Sequence, residues 1–401
     1  MPQYLSPGVY VEELASAIQP IAGVGTSTAG FIGTVPSDIV MPPLPGETGY
    51  QDDGTTVDPA TRYTRAANDQ AVLITSWDAF QRSFGQLSTE LPGNVWLGNA
   101  VYGFFNNGGT RCWVASVSAM EAATDVEDAL ASFATIDEIA LVAAPGATAA
   151  PVQDAIVAHC SNLADRFAIL DGQQDPASNT PAAINTAQSS SYGAIYYPWI
   201  DIGLAGGDGK PLYLPPSGHI AGVYARVDSQ RGVFKAPANE VIQGALDVQA
   251  RLSKADQDGL NPAGVNVIRM FGNNVTIWGA RTMVGTSGDA EWTYISARRL
   301  FIYLRESIEQ GTQWAVFEPN GPDLWQRVRR NVGAFLTTTW QSGALLGDTA
   351  AQAFYVQCDA TTNSTDTQAL GQLITEVGVA LVQPAEFVIF RISQWSGPAS
   401  S

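Results

Sequence analysis

The stretch IALVAAPGATAAPVQDAIVAHCSNLADRFAILDG (139–172) decides the fold class. It begins and ends with short apolar runs, IALVAAPG (139–146) and FAILDG (167–172), which are typical of buried strands. Between them, APVQDAIVAHCSNLADR (150–166) has the apolar spacing of an amphipathic helix. A strand, a helix and a second strand in this order predict neighbouring parallel strands in an α/β layer.

The same alternation extends in both directions from this stretch. Upstream, we expect strands in PIAGVGTSTAGFIGTV (20–35), AVLITS (71–76) and RCWVASV (111–117), with helices in WDAFQRSFG (77–85) and NVWLGNAVYGFFNNGG (94–109). Downstream, SSYGAIYYPWIDI (190–202) predicts further strand. Residues 36–68 contain MPPLP and ETGYQDDGTT and show no periodicity, so we expect an exposed insertion there.

Three helices are predicted in the C-terminal third. The first has an apolar face at alternating three- and four-residue spacing, with Arg298, Arg305 and Glu309 elsewhere on its surface and Gly311 as the residue that ends it. That face consists of Tyr294, Ala297, Phe301, Leu304 and Ile308. The second is expected to open at Asn320 and has Pro322 in its first turn, where proline is favoured. The third has Leu370, Leu373, Val377 and Leu381 on one side.

Composition excludes several functional classes. The chain has 401 residues, 45% hydrophobic and 14% charged, which is enough apolar material for two or three compact domains. The formal net charge of −18 argues against nucleic acid as a partner, because phosphate binding needs clustered lysine and arginine. No window has the roughly 20 apolar residues that span a bilayer, and no signal peptide is predicted, so membrane insertion is not expected.

The three cysteines, Cys112, Cys160 and Cys358, are odd in number and lie far apart in apolar surroundings. This pattern is typical of buried reduced thiols in a chain that folds in a cytosol. A disulfide framework is therefore not expected.

Both ends of the chain read as strands with no partner of their own. Near the start, Pro7 and Gly8 disfavour a helix, whereas Val9, Tyr10 and Val11 favour a strand. Near the end, EFVIFRISQW (386–395) is apolar on both faces, and such a strand aggregates when it is left exposed. We expect each end to complete a sheet in another copy of the chain, which predicts a polymer.

At this point the sequence resembles the phage tail sheath family. The likeness lies in YLSPGVYVEE (4–13), IAGVGTSTAGFIG (21–33), AVYGFFNNGGTRCWV (100–114), YYPWI (196–200), PPSGHIAGVYAR (215–226), RGVFKAPAN (231–239), LNPAGVNVIRMF (260–271), VTIWGARTM (275–283), EVGVALVQPAEF (376–387) and PAEFVIFRISQ (384–394). These blocks cover nearly the whole chain in the expected order, which is more specific than any single motif. The family includes sheaths of contractile phages, R-type bacteriocins and extracellular contractile injection systems.

The resemblance implies an α/β outer domain plus a smaller α+β core domain of the handshake type, with extended N- and C-terminal strand arms. The expected divisions are an N-terminal arm (1–20), a main α/β region (21–290), a core domain (291–385) and a C-terminal arm (386–401). The strands expected to pair with neighbouring subunits are formed by Val9, Tyr10, Val11, Phe387, Val388, Ile389, Phe390 and Ile392. The family's tube contact is made by a C-terminal helix, which points here to Arg327, Arg329 and Arg330.

The implied function is structural. Subunits polymerise helically around an inner tube and contract from a metastable extended state to drive the tube into a target. Implied partners are further copies of the chain, the inner tube protein, and the baseplate and tail-terminator or cap proteins. Assembly is expected in the bacterial cytoplasm, as part of a phage tail or of a phage-tail-like particle that can act outside the cell.

Two other functional classes stay open at this stage. A subtilisin-like hydrolase needs a serine and an acid to meet His159 or His219, the chain's two histidines. A non-contractile capsid or surface-layer protein also polymerises, but into a single lattice. GTSTAG (25–30) lacks the second glycine of a nucleophile elbow, and GLAGGDGKP (203–211) lacks two residues of a phosphate loop. We therefore expect no catalytic residue, cofactor or metal site.

Overall fold

The structure, a computed structural model, describes residues 20–87, 94–206, 209–286, 288–387 and 389. Its strands are β1 Ala29–Thr34, β2 Val72–Ile74, β3 Cys112–Val117, β4 Leu141–Ala143, β5 Phe167–Asp171, β6 Gly193–Tyr197, β7 Ile200–Ala205, β8 Pro211–Leu214, β9 Glu240–Val241, β10 Asp247–Val248, β11 Val265–Phe271, β12 Asn274–Ile277, β13 Phe354–Gln357 and β14 Glu376–Val379. Its helices are α1 Trp77–Phe84, α2 Val95–Asn106, α3 Glu127–Ala134, α4 Ala150–Leu163, α5 Pro181–Ile184, α6 Ser217–Arg231, α7 Lys254–Leu260, α8 Ile295–Thr312, α9 Pro322–Gln341, α10 Ala350–Ala353 and α11 Thr365–Ala369.

The main sheet has nine strands in the order β2-β3-β1-β4-β5-β6-β11-β12-β9. Its centre, from β3 to β11, is parallel, and the pairs at its two edges are antiparallel. Central strands such as β5 are buried along their whole length, as expected when helices cover both faces of a parallel sheet. The α/β class predicted from 139–172 is confirmed.

The two faces of this sheet carry separate cores, because successive side chains of a strand point to opposite sides. On β1, Phe31 joins one core and the next residue, Ile32, joins the other. The first core packs against α1, α2 and α6, where Phe80, Phe104 and Tyr224 are fully buried. The second core packs against α3 and α4.

Helices α2 and α6 approach closely because glycines line their contact. A Cβ atom added to Gly218 would lie 2.4 Å from both Cα and Cβ of Ala100, and one on Gly103 would lie 2.4 Å from the ring of His219. Contacts this short do not occur, so a side chain at either position would push the helices apart.

The chain divides into two compact units. The larger unit comprises residues 24–303 and 382–401 and contains the nine-stranded sheet. The smaller unit comprises residues 1–23 and 304–381 and contains the end of α8, α9, and a two-stranded sheet of β13 and β14. In the smaller unit, the buried apolar side chains of α9 are Leu324, Trp325, Val328, Val332, Phe335 and Leu336. The division between the units in this region falls within α8, between Tyr303 and Leu304.

The first C-terminal helix was predicted correctly in position but not in its packing. Arg298 and Arg299 are buried, whereas Phe301, expected on the packed face, is 37% exposed. The arginines can be buried because their charges are paired or stacked: Arg298 lies over the ring of Trp292 at 3.5 Å, and Arg299 pairs with Asp228. Gly311 does not end the helix, which continues to Thr312. Its missing side chain instead leaves room for Ile21.

The second predicted helix is confirmed as α9, with Pro322 as its first residue. The third prediction was wrong. Helix α11 ends at Ala369, Gly371 has a positive φ of 70°, and Glu376–Val379 form β14. The side chain of Asn363 explains the change, because its amide donates to the carbonyl of Ile374 and its oxygen accepts from the amide of Ile374. These two bonds hold the chain extended where the leucine spacing suggested a helix.

Candidate functional site

The small sheet of β13 and β14 is the first candidate. It is an antiparallel pair running from Phe354 opposite Val379 to Gln357 opposite Glu376. Among the residues that the structure describes, no third strand pairs with either one. The ring of Tyr355 occupies the space that a Cβ atom of Gly378 would need, so this glycine allows the two strands to pack. An isolated two-stranded sheet is marginal in water, and its outer edges can accept further strands.

Next to this sheet lies an apolar groove, which we call the α9 groove. Its volume is about 690 Å³, and its apolar lining includes Ile308, Leu324, Val328, Val332, Leu373 and Val377. At its rim, Val316 is 62% exposed and the ring of Phe317 is fully exposed. Phe317 also has a positive φ of 65°, a conformation that is costly for an aromatic residue. A strained and exposed aromatic side chain suggests a role outside the subunit's own folding.

The C-terminal segment is described only in part. Residues 382–387 have no regular secondary structure, and Phe387 and Ile389 are 69% and 79% exposed. Val388, Phe390 and Ile392 lie outside the described residues, as do Val9, Tyr10 and Val11. The predicted intersubunit strands therefore stay predictions.

Three side chains, those of Arg281, Asn261 and Tyr294, hold Glu386 at the start of this segment, and together with Glu386 we call them the Arg281 cluster. Arg281 binds both carboxylate oxygens, with its Nη2 at 2.7 Å and its Nε at 2.9 Å. Asn261 donates a third bond at 2.6 Å, and the hydroxyl of Tyr294 a fourth at 2.9 Å. Burial alone would raise the pKa of Glu386, but these hydrogen bonds outweigh it and lower the pKa below its ordinary value.

The three arginines of α9 do not form one surface. Arg329 and Arg330 are exposed, but Arg327 is half-buried. Its guanidinium stacks over the ring of Trp314 at 4.5 Å and pairs with Glu318 at 3.2 Å. Positions 327 and 330 share a face of the helix, because residues three apart are neighbours, whereas position 329 points in a different direction from position 327.

Ser217 and an acid do meet, but not at a histidine. Asp171, at the carboxyl end of β5, accepts hydrogen bonds from the hydroxyl of Ser217 at 2.7 Å and from its amide at 2.8 Å. The amide of Gly146 donates a third bond. All three donors bind the ionised carboxylate, yet complete burial dominates and raises the pKa of Asp171 to about 6. The carboxylate thus caps the N-terminus of α6 and fills the place where α/β enzymes commonly bind ligands.

Neither histidine is placed as a catalytic base. The ring of His219 is buried against Gly103, its Nδ1 has no hydrogen-bond partner among the described residues, and burial lowers its pKa to about 4. Burial, with the charge of Arg166 beside it, also lowers the pKa of His159 to about 4. The geometry does not support the hydrolase alternative, since no serine and acid converge on either ring within the described chain.

Two other kinds of functional feature are absent from the residues that the structure describes. They contain no group of three or more histidine, cysteine, aspartate or glutamate side chains arranged to bind a metal ion. None of their helices combines the length and the apolarity needed to cross a bilayer. Cys112, Cys160 and Cys358 are buried free thiols.

Comparisons with known proteins agree with the sequence resemblance. Residues 120–283 match the phage tail sheath protein central domain, and residues 287–394 match the phage tail sheath C-terminal domain. The sheath of the anti-feeding prophage in its contracted state is 32% identical, covers 97% of this chain and 99% of its own, and has a TM-score of 0.72. The chain belongs to the phage tail sheath family.

Other sheath proteins show the same similarity. The sheath complex of the extracellular contractile injection system PVC, in its contracted state, is 28% identical with a TM-score of 0.76, and the match covers 99% of both chains. A chain of the anti-feeding prophage baseplate is 31% identical, with a TM-score of 0.72 over 98% of this chain and 99% of its own. A putative prophage major tail sheath protein of Pseudomonas aeruginosa (strain UCBPP-PA14) is 27% identical over 64% of this chain. That alignment spans 65% of the relative's length, just under two thirds.

Within this sheath protein, sequence reasoning missed the residues that hold the described ends of the terminal segments. Arg281 and Arg299 appeared in no predicted site, because an arginine in an amphipathic stretch is usually solvated. Their partners Glu386 and Asp228 are 105 and 71 residues away in sequence. A signal did exist for Arg281, which lies in VTIWGARTM (275–283), one of the blocks that resemble the family.

Proposed function

We propose that this chain is the subunit of a contractile sheath, which polymerises helically around an inner tube and contracts to drive the tube into a target. The observation that carries the proposal is the match over 99% of both chains to a sheath subunit in its contracted state. Because the match is not confined to one domain, it includes the segments that a sheath needs for assembly. The role is structural and mechanical, with no catalytic step in the subunit.

The subunits are linked by strands exchanged at both ends, in the handshake arrangement. The strand of one arm contains Val9, Tyr10 and Val11, and the strand of the other contains Phe387, Val388, Ile389, Phe390 and Ile392. The sheet of β13 and β14 is the acceptor in a neighbouring subunit. Two observations support this role: no third strand pairs with this sheet among the described residues, and Phe387 and Ile389 are exposed, as expected of apolar side chains that pair with another chain.

Contraction needs a source of free energy, and burial of apolar surface between subunits can supply it. The smaller unit has exposed apolar side chains at Val316, Phe317, Leu370 and Tyr355. At about 25 cal/mol per Å², a few hundred further Å² buried per subunit would give several kcal/mol, and this gain repeats along the tube. No nucleotide is required.

The inner tube contacts helix α9 through Arg329 and Arg330. Both side chains are exposed, and a cationic surface against an acidic tube would hold the extended state through ion pairs that are individually weak. Arg327 was included in this contact on sequence grounds, but its packing on Trp314 and Glu318 gives it a structural role in the subunit as well.

The remaining partners are the baseplate and the tail-terminator or cap proteins at the two ends of the sheath. The similarity to a chain of the anti-feeding prophage baseplate supports the first of these. Assembly takes place in the bacterial cytoplasm, within a phage tail or an extracellular injection particle. A net charge of −18 is consistent with a particle that binds neither nucleic acid nor an anionic membrane surface.

Electron microscopy of the full chain expressed alone tests the proposal. We expect hollow helical tubes wider than a bare inner tube. Deletion of 388–401, which keeps Glu386 and its partners, should leave a folded monomer that forms no tubes. A monodisperse monomer of the full chain at all protein and salt concentrations would contradict the sheath function, and a single flat lattice would favour a surface-layer protein.

The tube contact is tested separately with co-expressed inner tube. The double variant Arg329→Glu and Arg330→Glu should still polymerise but should lose the extended sheath on the tube. The matched control is Arg251→Glu with Lys254→Glu, which makes the same charge change at two exposed positions of the larger unit. Extended sheath that survives the α9 substitutions would rule out this contact.

A further inference from the structure

A second buried arginine, Arg299, binds the chain near its first described residues, and we call this arginine and its partners the Arg299 cluster. Arg299 on α8 pairs with both carboxylate oxygens of Asp228 on α6, at 3.0 and 2.6 Å. The same guanidinium donates to the carbonyl of Thr26 at 3.0 Å, and the Thr26 hydroxyl donates to Asp228 at 2.6 Å. The guanidinium also stacks on the ring of Tyr224, with its central carbon 4.6 Å from the ring centroid. Thr26 is thereby fixed to two helices just after the first described residues.

The two clusters are built alike. Each contains an arginine that binds both oxygens of a carboxylate. In one cluster the carboxylate is that of Glu386, at the start of the C-terminal segment; in the other, the arginine and its carboxylate both bind Thr26, near the first described residues. In both, the arginine side chain is at most 6% exposed. The backbone that carries Arg281 is itself fixed, because the side chain of Asn266 on β11 accepts from its amide and donates to its carbonyl.

Their positions along the chain are also alike. The chain passes between the larger and smaller units after residues 23, 303 and 381. Thr26, Arg299 and Glu386 lie within five residues of these three points, on the side of the larger unit. The two clusters therefore fix residues of the larger unit close to all three points at which the chain passes to or from the smaller unit.

Polar clusters of this kind suit a positioning role better than apolar contacts do. A buried ion pair adds little net stability over apolar packing, so its retention is better explained by the single geometry that it imposes. The planar guanidinium defines both the distance and the direction of its partner carboxylate, which neither lysine nor an apolar contact can do.

We propose that Arg281 and Arg299 are positioning residues for sheath assembly: Arg281 fixes the start of the C-terminal segment, and Arg299 fixes the larger unit's end of the connection that leads to the N-terminal segment. The proposal rests on the sheath function, in which those segments link neighbouring subunits. A strand whose origin is fixed searches a smaller volume for its acceptor sheet, so its effective concentration at the acceptor is higher.

Spin-label mobility in the monomer tests whether the clusters hold the segments. Labels attached at Ala385→Cys and at Gly25→Cys report on the two ends, since residue 385 is exposed and an added Cβ at residue 25 meets no atom within 4 Å. The native cysteines are buried and should label slowly. We expect both labels to move with the body of the protein. Glu386→Gln should free only the label at 385, and Arg299→Lys only the label at 25, because lysine cannot bind Asp228 and the carbonyl of Thr26 in the same fixed geometry.

These substitutions are mild enough to keep the fold. Glu386→Gln is isosteric, and Arg299→Lys keeps a positive charge beside the carboxylate of Asp228. The control is Glu121→Gln, the same change at an exposed carboxylate of the larger unit. The double variant Arg281→Gln with Glu386→Gln should free the label no more than either single change, because both remove one interaction. Labels that stay immobile in Glu386→Gln and Arg299→Lys would overturn the proposal.

Tube yield then tests the role in assembly. We expect Glu386→Gln to lower the yield of sedimented tubes at least about tenfold, which a loss of about 1.4 kcal/mol per link would produce. Freed labels with unchanged tube yield and unchanged melting temperature would overturn the positioning role while leaving the sheath function intact. If the wild-type chain forms no tubes, the sheath function itself fails and the assembly role fails with it, although label mobility still shows whether the clusters hold the segments.

Discussion

The larger and smaller units differ in their buried ion pairs and in how completely their sheets are covered. In the larger unit, charged groups are taken inside and paired, as with Arg299 and Asp228, while the sheet is covered on both faces. In the smaller unit, apolar side chains such as Phe317 and Leu370 are left in water beside a sheet of two strands. The larger unit exposes apolar side chains too, such as Leu246 and Phe387, so the difference lies mainly in the sheets: helices cover both faces of the large sheet, whereas the small sheet has only two strands among the described residues.

The largest expected effect is at the buried pair of the larger unit. Arg299→Met leaves the carboxylate of Asp228 buried without its cation, and we expect the free energy of unfolding to fall by about 3–5 kcal/mol. Chemical denaturation measures this change. Arg251→Met, at an exposed pair with Asp247, should cost less than about 1 kcal/mol. Equal losses in the free energy of unfolding at the two sites would mean that burial of the ion pair does not increase the cost of removing its arginine.

Glycine-to-alanine changes compare the packing of the two units directly. Gly218→Ala places a methyl group on the backbone of Ala100 and should destabilise the larger unit by about 1–3 kcal/mol. Gly333→Ala, in α9 of the smaller unit, meets no atom within 4 Å and should stabilise that helix by about 0.5–1 kcal/mol. Thermal denaturation of both variants gives the comparison, and a destabilising Gly333→Ala would show that α9 is packed as tightly as α6.

These two glycines also show how far sequence reasoning reaches. The apolar runs and helical spacings predicted most elements of the larger unit, because they depend on residues close together in sequence. The need for Gly218 could not be predicted, since it depends on Ala100, which is distant in sequence. The same holds for Asp171 with Ser217, which are 46 residues apart. The error at β14 arose because a leucine spacing fitted a helix while Gly371 and Asn363 imposed a turn.

The candidate site was predicted in its outline and not in its details. Family resemblance and apolar patterning pointed to the chain ends, and the exposure of Phe387 and Ile389 agrees with that expectation. The side chains that fix Glu386 come from three separate parts of the sequence, Asn261, Arg281 and Tyr294, so no local pattern links them. Sequence spacing likewise grouped Arg327 with Arg329 and Arg330, although stacking on Trp314 separates it from them.

A smaller effect should appear in the pH dependence of the larger unit. The folded pKa of Asp171, about 6, lies above its ordinary value of 3.8, so the folded state binds a proton more readily than the unfolded state. The contribution of this group to stability therefore rises as the pH falls from 7 to 5, by about 1 kcal/mol. Glu386 acts in the opposite sense, because its lowered pKa makes its contribution fall as the pH drops below about 4.5.

Asp171→Asn isolates the first of these two carboxyl groups. The variant cannot titrate, so the rise in stability between pH 7 and pH 5 should be smaller than in the wild-type chain by the amount assigned to Asp171. Denaturation of both proteins at the two pH values measures the difference. An identical pH dependence would show that Asp171 is not protonated in this range. Ser217→Ala offers a second check, since it removes a hydrogen bond to the carboxylate and should raise the pKa of Asp171 further.

The smallest effect on folding is expected where the smaller unit is most apolar on its surface. Phe317→Gly removes a fully exposed ring and relieves a positive φ of 65°, so the free energy of unfolding should stay the same or rise by up to about 1 kcal/mol. Tube formation should nevertheless decrease, because the exposed ring can pack against another chain. Phe31→Gly, at a buried position of β1, is the contrasting change and should abolish folding. If Phe317→Gly instead destabilised the monomer and left tube yield unchanged, the exposed apolar surface of the smaller unit would belong to its own fold, and the contrast between the two units would not hold.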